Sequence, residues 1–121
     1  MWVYESSSGS TFRPDGTLLC VAYSGHGDGL NNPAMQAIPN IGPIPTGEYT
    51  LSPFFTHPRL GKLVARFMPK SDNDECHRSG IDLHGDNQYR DHTGSEGCVV
   101  MDEPYRLEIS QSLDTDWLVR A

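Results

Sequence analysis

Cys98 stands in Ser95-Glu96-Gly97-Cys98-Val99-Val100-Met101, fourteen positions after His84 in Ile81-Asp82-Leu83-His84-Gly85-Asp86-Asn87. A thiol and an imidazole are the elements of a nucleophile and its base. A thiol attacks carbonyls only as thiolate, and a nearby imidazole or a cluster of backbone N–H groups lowers its pKa from about 8.5 into the working range. Gly97 adds to this. With no side chain there, the Gly97 and Cys98 amides can approach a reacting carbonyl and stabilise its oxyanion. A lone cysteine in an apolar run is more often a small core residue. The Ser-x-Gly-Cys context, with His-Gly upstream, shifts the reading toward a nucleophile.

The elements that must position this pair read as β structure. Ile81-Asp82-Leu83-His84 is a strand that delivers His84 to its end. Gly94 to Gly97 returns the chain to a strand at Cys98 to Met101, so base and nucleophile sit at the ends of neighbouring strands. Trp2-Val3-Tyr4, Leu18 to Tyr23, Glu48 to Leu51, Leu63 to Met68 and Trp117-Leu118-Val119 are further strands, apolar and rich in β-branched or aromatic residues. Arg13-Pro14-Asp15-Gly16 is a turn, where Pro presets φ and Gly tolerates a positive value. Ser24 to Asn32 and Lys70 to Glu75 are polar loops. Ile41-Gly42-Pro43-Ile44-Pro45-Thr46-Gly47 cannot be helical, with two prolines bracketed by glycines, and forms a stiff extended entry to the next strand. Tyr105 to Leu113 is a short helix, with Asp102 at its N-cap and Pro104 in its first turn. The fold class is mainly β, with one or two short helices.

The chain has 121 residues, which suits a single domain (1–121) with one modest core. No stretch approaches the roughly 18 apolar residues needed to span a membrane, and no basic-then-apolar secretory signal opens the chain. The expectation is that the chain stays in the cytoplasm, leaves by a route without a cleavable signal, or is a domain or mature fragment of a longer protein. A net charge of −7 argues against a nucleic-acid partner, because phosphate binding needs clustered Lys and Arg. Three cysteines, Cys20, Cys76 and Cys98, leave at least one unpaired: either Cys20 and Cys76 bridge, or all three are reduced. A zinc site drawn from Cys76, His77, His84, His92 or Cys98 matches no common ligand spacing, so no metal and no cofactor is expected.

Gly42-Pro43-Ile44-Pro45-Thr46-Gly47-Glu48-Tyr49, His84-Gly85 and Ser95-Glu96-Gly97-Cys98, taken in order, resemble the YkuD-type L,D-transpeptidase domain. With Tyr23-Ser24-Gly25, Asn31-Asn32-Pro33 and His84-Gly85-Asp86-Asn87, the chain is more closely similar to the short relatives delivered as antibacterial type VI secretion effectors. The resemblance implies an L,D-transpeptidase-like β-sandwich or barrel and cysteine-dependent acyl transfer on peptidoglycan stem peptides. Cys98 would attack the diaminopimelate carbonyl and expel the terminal D-alanine. Water would then resolve the acyl-enzyme (L,D-carboxypeptidase), or a free D-amino acid would (exchange).

Carried over residue by residue, Cys98 is the nucleophile and His84 the base. The Gly85 carbonyl orients the imidazole, Ser95 is the small hydroxyl residue of the motif, and Gly97 with Cys98 supplies oxyanion amides. Arg78, Asp86 and Asn87 are candidates for substrate binding. Against this, Arg78 reads equally well as a surface charge, and Asp86 with Asn87 as an Asx turn. The implied partners are a peptidoglycan tetrapeptide and a periplasmic immunity protein, with action in the periplasm of target bacteria. Cross-linking members of the family carry Ser-His-Gly-Cys with Arg two places beyond the Cys. Glu96 and Val100 occupy those places here, which implies a different substrate selection. The rival reading is a non-catalytic wall-binding or phage-structural module of the same fold.

Overall fold

The computed structural model describes residues 1–70, 80–86 and 97–121. Ten strands and one α-helix follow in chain order: β1 (Trp2–Glu5), β2 (Ser10–Phe12), β3 (Leu18–Val21), β4 (Tyr23–Ser24), β5 (Gly47–Leu51), β6 (Phe55–His57), β7 (Gly61–Pro69), β8 (Asp82–His84), β9 (Val99–Val100), α1 (Glu103–Ser110) and β10 (Asp116–Arg120). Two single-turn 3-10 segments, Gly27–Gly29 and Pro33–Met35, interrupt the long connection between β4 and β5.

The strands form one sheet in the order β3-β2-β1-β10-β5-β7-β8-β9-β4, and β6 pairs with β7. β1 runs parallel to β10 and β8 parallel to β9; the other pairs are antiparallel. The ends of this path are β3 and β4, which are consecutive in the chain and separated only by Ala22. The sheet must therefore curl until its edges nearly meet, giving an almost closed barrel. The Leu18-to-Tyr23 segment, expected as one strand, is two for this reason: it leaves one edge of the sheet and joins the other. The Ala22 amide marks the break, donating to Gly9 O at 2.8 Å. β6 was not foreseen, and α1 spans Glu103–Ser110 rather than Tyr105 to Leu113. Pro104 does open the helix and Asp102 does hold the N-cap position, without a side-chain capping bond. Beyond Lys70 and Gly97, the expected loop at Lys70 to Glu75 and the return at Gly94 to Gly97 lie outside the described residues.

The core is built on aromatic side chains from alternate positions. Trp2 of β1 stacks on Trp117 of β10 at 5.6 Å between ring centroids, and Phe67 of β7 meets Trp117 edge-on at 5.4 Å. Such pairs contribute about 0.5–1.5 kcal/mol beyond the area they bury. Across β7, β8 and β9 the two-residue period sorts the side chains. Ala65, Phe67, Ile81, Leu83, Val99 and Met101 enter the core cluster. Val64, Arg66, Asp82, His84, Cys98 and Val100 alternate with them and belong to the opposite face. Base and thiol are thus on one face by the parity of their positions.

Candidate active site

β8 and β9 lie side by side with Leu83 opposite Val99 and His84 opposite Val100. Cys98 stands one residue before the first of these pairs, beside Asp82. The Asp82 amide donates to Cys98 Sγ at 3.3 Å, a bond that favours the charged form of the sulfur. His84 is two register positions along the same face, a diagonal of about 8 Å between Cα atoms.

His84 is buried, and its ring Nδ1 lies 2.7 Å from Gly85 O. A carbonyl only accepts, so Nδ1 carries the hydrogen and donates it, which leaves the lone pair on Nε2. Burial holds the imidazole pKa below its ordinary value. The charges of Arg106 and His57 push the same way, while the Gly85 bond and Asp82 oppose them. The ring is a neutral base with its tautomer fixed. The Gly85 carbonyl is thus the group that holds the imidazole ring.

Gly97 has φ of +117°, a backbone setting that favours glycine. Its carbonyl accepts from the Ser24 hydroxyl at 3.3 Å, and the same hydroxyl accepts from the Ile44 amide at 2.8 Å. Ser24 is wholly buried, so this hydroxyl ties the backbone beside the thiol to the Pro-rich segment. That segment is itself braced. Tyr49 Oη donates to Pro45 O at 2.7 Å, and a Cβ at Gly42 would fall 1.8 Å from Met35 O. The Tyr23-Ser24-Gly25 and Gly-Pro-Ile-Pro motifs therefore act as scaffold behind Cys98.

Arg106 of α1 is buried and donates to three carbonyls: Met101 O at 2.9 Å from Nε, and Lys62 O at 2.9 Å and Leu63 O at 2.6 Å from Nη1. Its remaining nitrogen, Nη2, would be 2.7 Å from a Cβ placed on Gly85. Arg66 of β7 pairs with the buried carboxylate of Asp82, through Nε at 2.8 Å and Nη2 at 3.3 Å. Sequence reading missed Arg66, Asp82 and Arg106. For Arg66 and Asp82 the only hint was a charged residue at alternate positions of otherwise apolar strands; Arg106, on the helix, carried none.

Among the other candidates, Asp86 accepts a 2.6 Å hydrogen bond from Tyr23 Oη, which ties the loop after His84 to β4. Arg78, Asn87 and Ser95 lie outside the described residues, as do Glu96, Cys76, His77 and His92. Cys20 is a buried thiol with its pKa pushed up to about 11, chiefly by burial; its candidate partner Cys76 lies outside the described residues. His57 Nδ1 accepts from the Arg59 and Leu60 amides and closes a turn. Among the described residues no group of three or more His, Cys, Asp or Glu could hold a metal ion.

Residues 19–115 match the family model described as the Tlde1 domain, a type VI secretion effector family. No curated protein matches the chain. A solved structure described as the Ldtfm–avibactam carbamoyl enzyme, an L,D-transpeptidase, superposes with a TM-score of 0.57 at 12% identity. The match covers 99% of this chain and 48% of that one, so the chain spans about half the length of this neighbour. At that identity the likeness shows the fold: a mostly β, nearly closed barrel of the L,D-transpeptidase kind.

Proposed function

The chain belongs to the Tlde1 domain family, and on that premise we propose that it is a cysteine-dependent acyl transferase of peptidoglycan stem peptides. The bond cleaved is that between diaminopimelate and the terminal D-alanine. The single observation that carries this reading is the fixed tautomer of His84: Nδ1–H is held by Gly85 O, and the basic Nε2 belongs to the strand beside Cys98.

His84 Nε2 takes the proton of the Cys98 thiol, and the thiolate attacks the diaminopimelate carbonyl carbon, forming a carbon–sulfur bond. The Gly97 and Cys98 amides stabilise the oxyanion. The carbon–nitrogen bond then breaks, and protonated His84 Nε2 gives its proton to the departing D-alanine amine, leaving a thioester on Cys98. In hydrolysis, water attacks the thioester, Nε2 takes its proton, and the freed tripeptide carboxylate leaves the thiolate ready again. In exchange, the amine of a free D-amino acid replaces water. The Gly85 carbonyl fills the orienting role that a carboxylate plays in a serine-protease triad. Ser95 supports the motif, and Asp86 braces the loop beyond the base.

The family match supports delivery by a type VI route, so the proposed place of action is the periplasm of a target bacterium, with an immunity protein as partner. No helix among the described residues is long and apolar enough to cross a membrane. The test is D-alanine release from disaccharide tetrapeptide by wild type and by Cys98→Ala. Release that disappears in the variant bears out the reading. An intact tetrapeptide with both proteins would overturn it and favour a wall-binding module.

A further inference from the structure

We infer that Arg66 forms an anion subsite beside Cys98, which takes a free carboxylate on the substrate and makes the chain selective for peptide ends. The inference rests on the reading of Cys98 as the nucleophile.

Arg66, Asp82 and Cys98 occupy one row across β7, β8 and the entry to β9. Arg66 is the register partner of Asp82 in the antiparallel β7–β8 pair, and the Asp82 amide reaches Cys98 Sγ at 3.3 Å. Two strand spacings put Arg66 and Cys98 about 10 Å apart at Cα, a gap of the size that a long arginine side chain and one substrate residue fill together. Asp82 works on both sides of this row: its backbone holds the sulfur, and its carboxylate fixes the guanidinium.

The way the guanidinium is held matters. Asp82 occupies Nε and Nη2 at 2.8 and 3.3 Å, while Nη1 makes no hydrogen bond among the described residues. The Asp82 side chain is 4% exposed but that of Arg66 is 48% exposed. A buried carboxylate therefore pins an open cation, with donors to spare, on the face that carries the thiol. The thiolate and this guanidinium also feel each other electrostatically. A guanidinium carries five N–H donors in a rigid fork, so the Nη1 donors can serve a second carboxylate while Nε and Nη2 hold Asp82.

In a stem tetrapeptide, the group one residue beyond the attacked carbonyl is the D-alanine carboxylate. In a cross-linked or amidated stem that negative charge is absent. The subsite thus selects free-ended tetrapeptides over capped ones, and it also gives an incoming D-amino acid a carboxylate anchor during exchange. The remainder of the protein works against anions, with a net charge of −7. Attraction of an anion to Cys98 therefore needs a local cation.

The test compares alkylation of Cys98 by iodoacetate, an anion, with that by neutral iodoacetamide, read by mass spectrometry of the Cys98 peptide. The wild-type rate ratio should exceed that of N-acetylcysteine by about twofold to fivefold, the size of a partly exposed charge pair. Arg66→Gln should bring it down to the small-thiol value, and Arg66→Lys should retain part of the preference. A wild-type ratio at or below that of N-acetylcysteine overturns the inference even if Arg66→Gln does not fold. A ratio unchanged in folded Arg66→Gln does the same. Alkylation needs no turnover, so its outcome is separate from that of the peptidoglycan assay. With active enzyme, wild type should favour a tetrapeptide acid over its C-terminal amide through KM, and Arg66→Gln should lose that discrimination while still turning over the amide.

Discussion

The Arg106 guanidinium occupies the space that a side chain at Gly85 would need: a Cβ there would lie 2.7 Å from Nη2. The carbonyl of that same glycine holds His84 Nδ1 at 2.7 Å. Arg106 cannot easily give way, because Nε and Nη1 are bound to three backbone carbonyls. Gly85→Ala should therefore cost about 1–3 kcal/mol through overpacking. It should reduce turnover more than the lost stability explains, because the carbonyl that sets the His84 tautomer moves with it. Denaturant melts alongside kcat at a temperature where the variant is fully folded check this.

Removing Arg106 has two separable effects. Arg106→Met leaves three carbonyls without their charged donor and should destabilise the fold by on the order of 3 kcal/mol. Leu63, one of the residues so held, has φ of +54°, an unfavourable setting for a branched side chain. The Arg106 charge also helps hold the His84 pKa down. The acid limb of the pH–rate profile should therefore move to higher pH in Arg106→Met, a change that mere loss of stability would not produce.

Burial lowers the His84 pKa in the folded protein, so in the acidic range the unfolded chain binds this proton more readily. The associated stability is fully present above the ordinary imidazole value of about 6.5 and is lost as pH falls through the lowered folded value. The difference in unfolding free energy between wild type and His84→Gln should shrink across that window. Turnover should persist below pH 6.5 for the same reason. An acid limb centred above the ordinary value would contradict this account of the site.

Ser24 links two segments through one hydroxyl, accepting from Ile44 N and donating to Gly97 O. Ser24→Ala leaves a buried amide without its acceptor, at a cost of about 1–3 kcal/mol. It also loosens the backbone beside the thiol. The expected outcome is a lower kcat with a smaller change in KM, since oxyanion alignment suffers more than substrate binding.

The alternation of Ile81-Asp82-Leu83-His84 and of Cys98-Val99-Val100-Met101 made both strands legible, and with them the shared face of base and thiol. The turn at Pro14–Gly16 and the extended Gly42–Gly47 segment were legible from proline and glycine chemistry. The break at Ala22 was not, because barrel closure is a property of the whole sheet and leaves no local mark on an apolar run. Arg66 and Arg106 were hidden for a related reason. Their partners lie at Asp82, Lys62, Leu63 and Met101, and only cross-strand register and the packing of α1 bring them together. The contact between His84 Nδ1 and Gly85 O joins adjacent residues, so the His-Gly pair made it legible.

The central claim is that Cys98 carries the acyl group. Brief incubation with disaccharide tetrapeptide, acid quenching and peptide mapping by mass spectrometry would test it most directly. The expected result is a thioester on the Cys98 peptide with the mass of the substrate less one alanine, absent in both Cys98→Ala and His84→Ala. D-alanine released at wild-type rate by Cys98→Ala, or an adduct on any other residue, would contradict it.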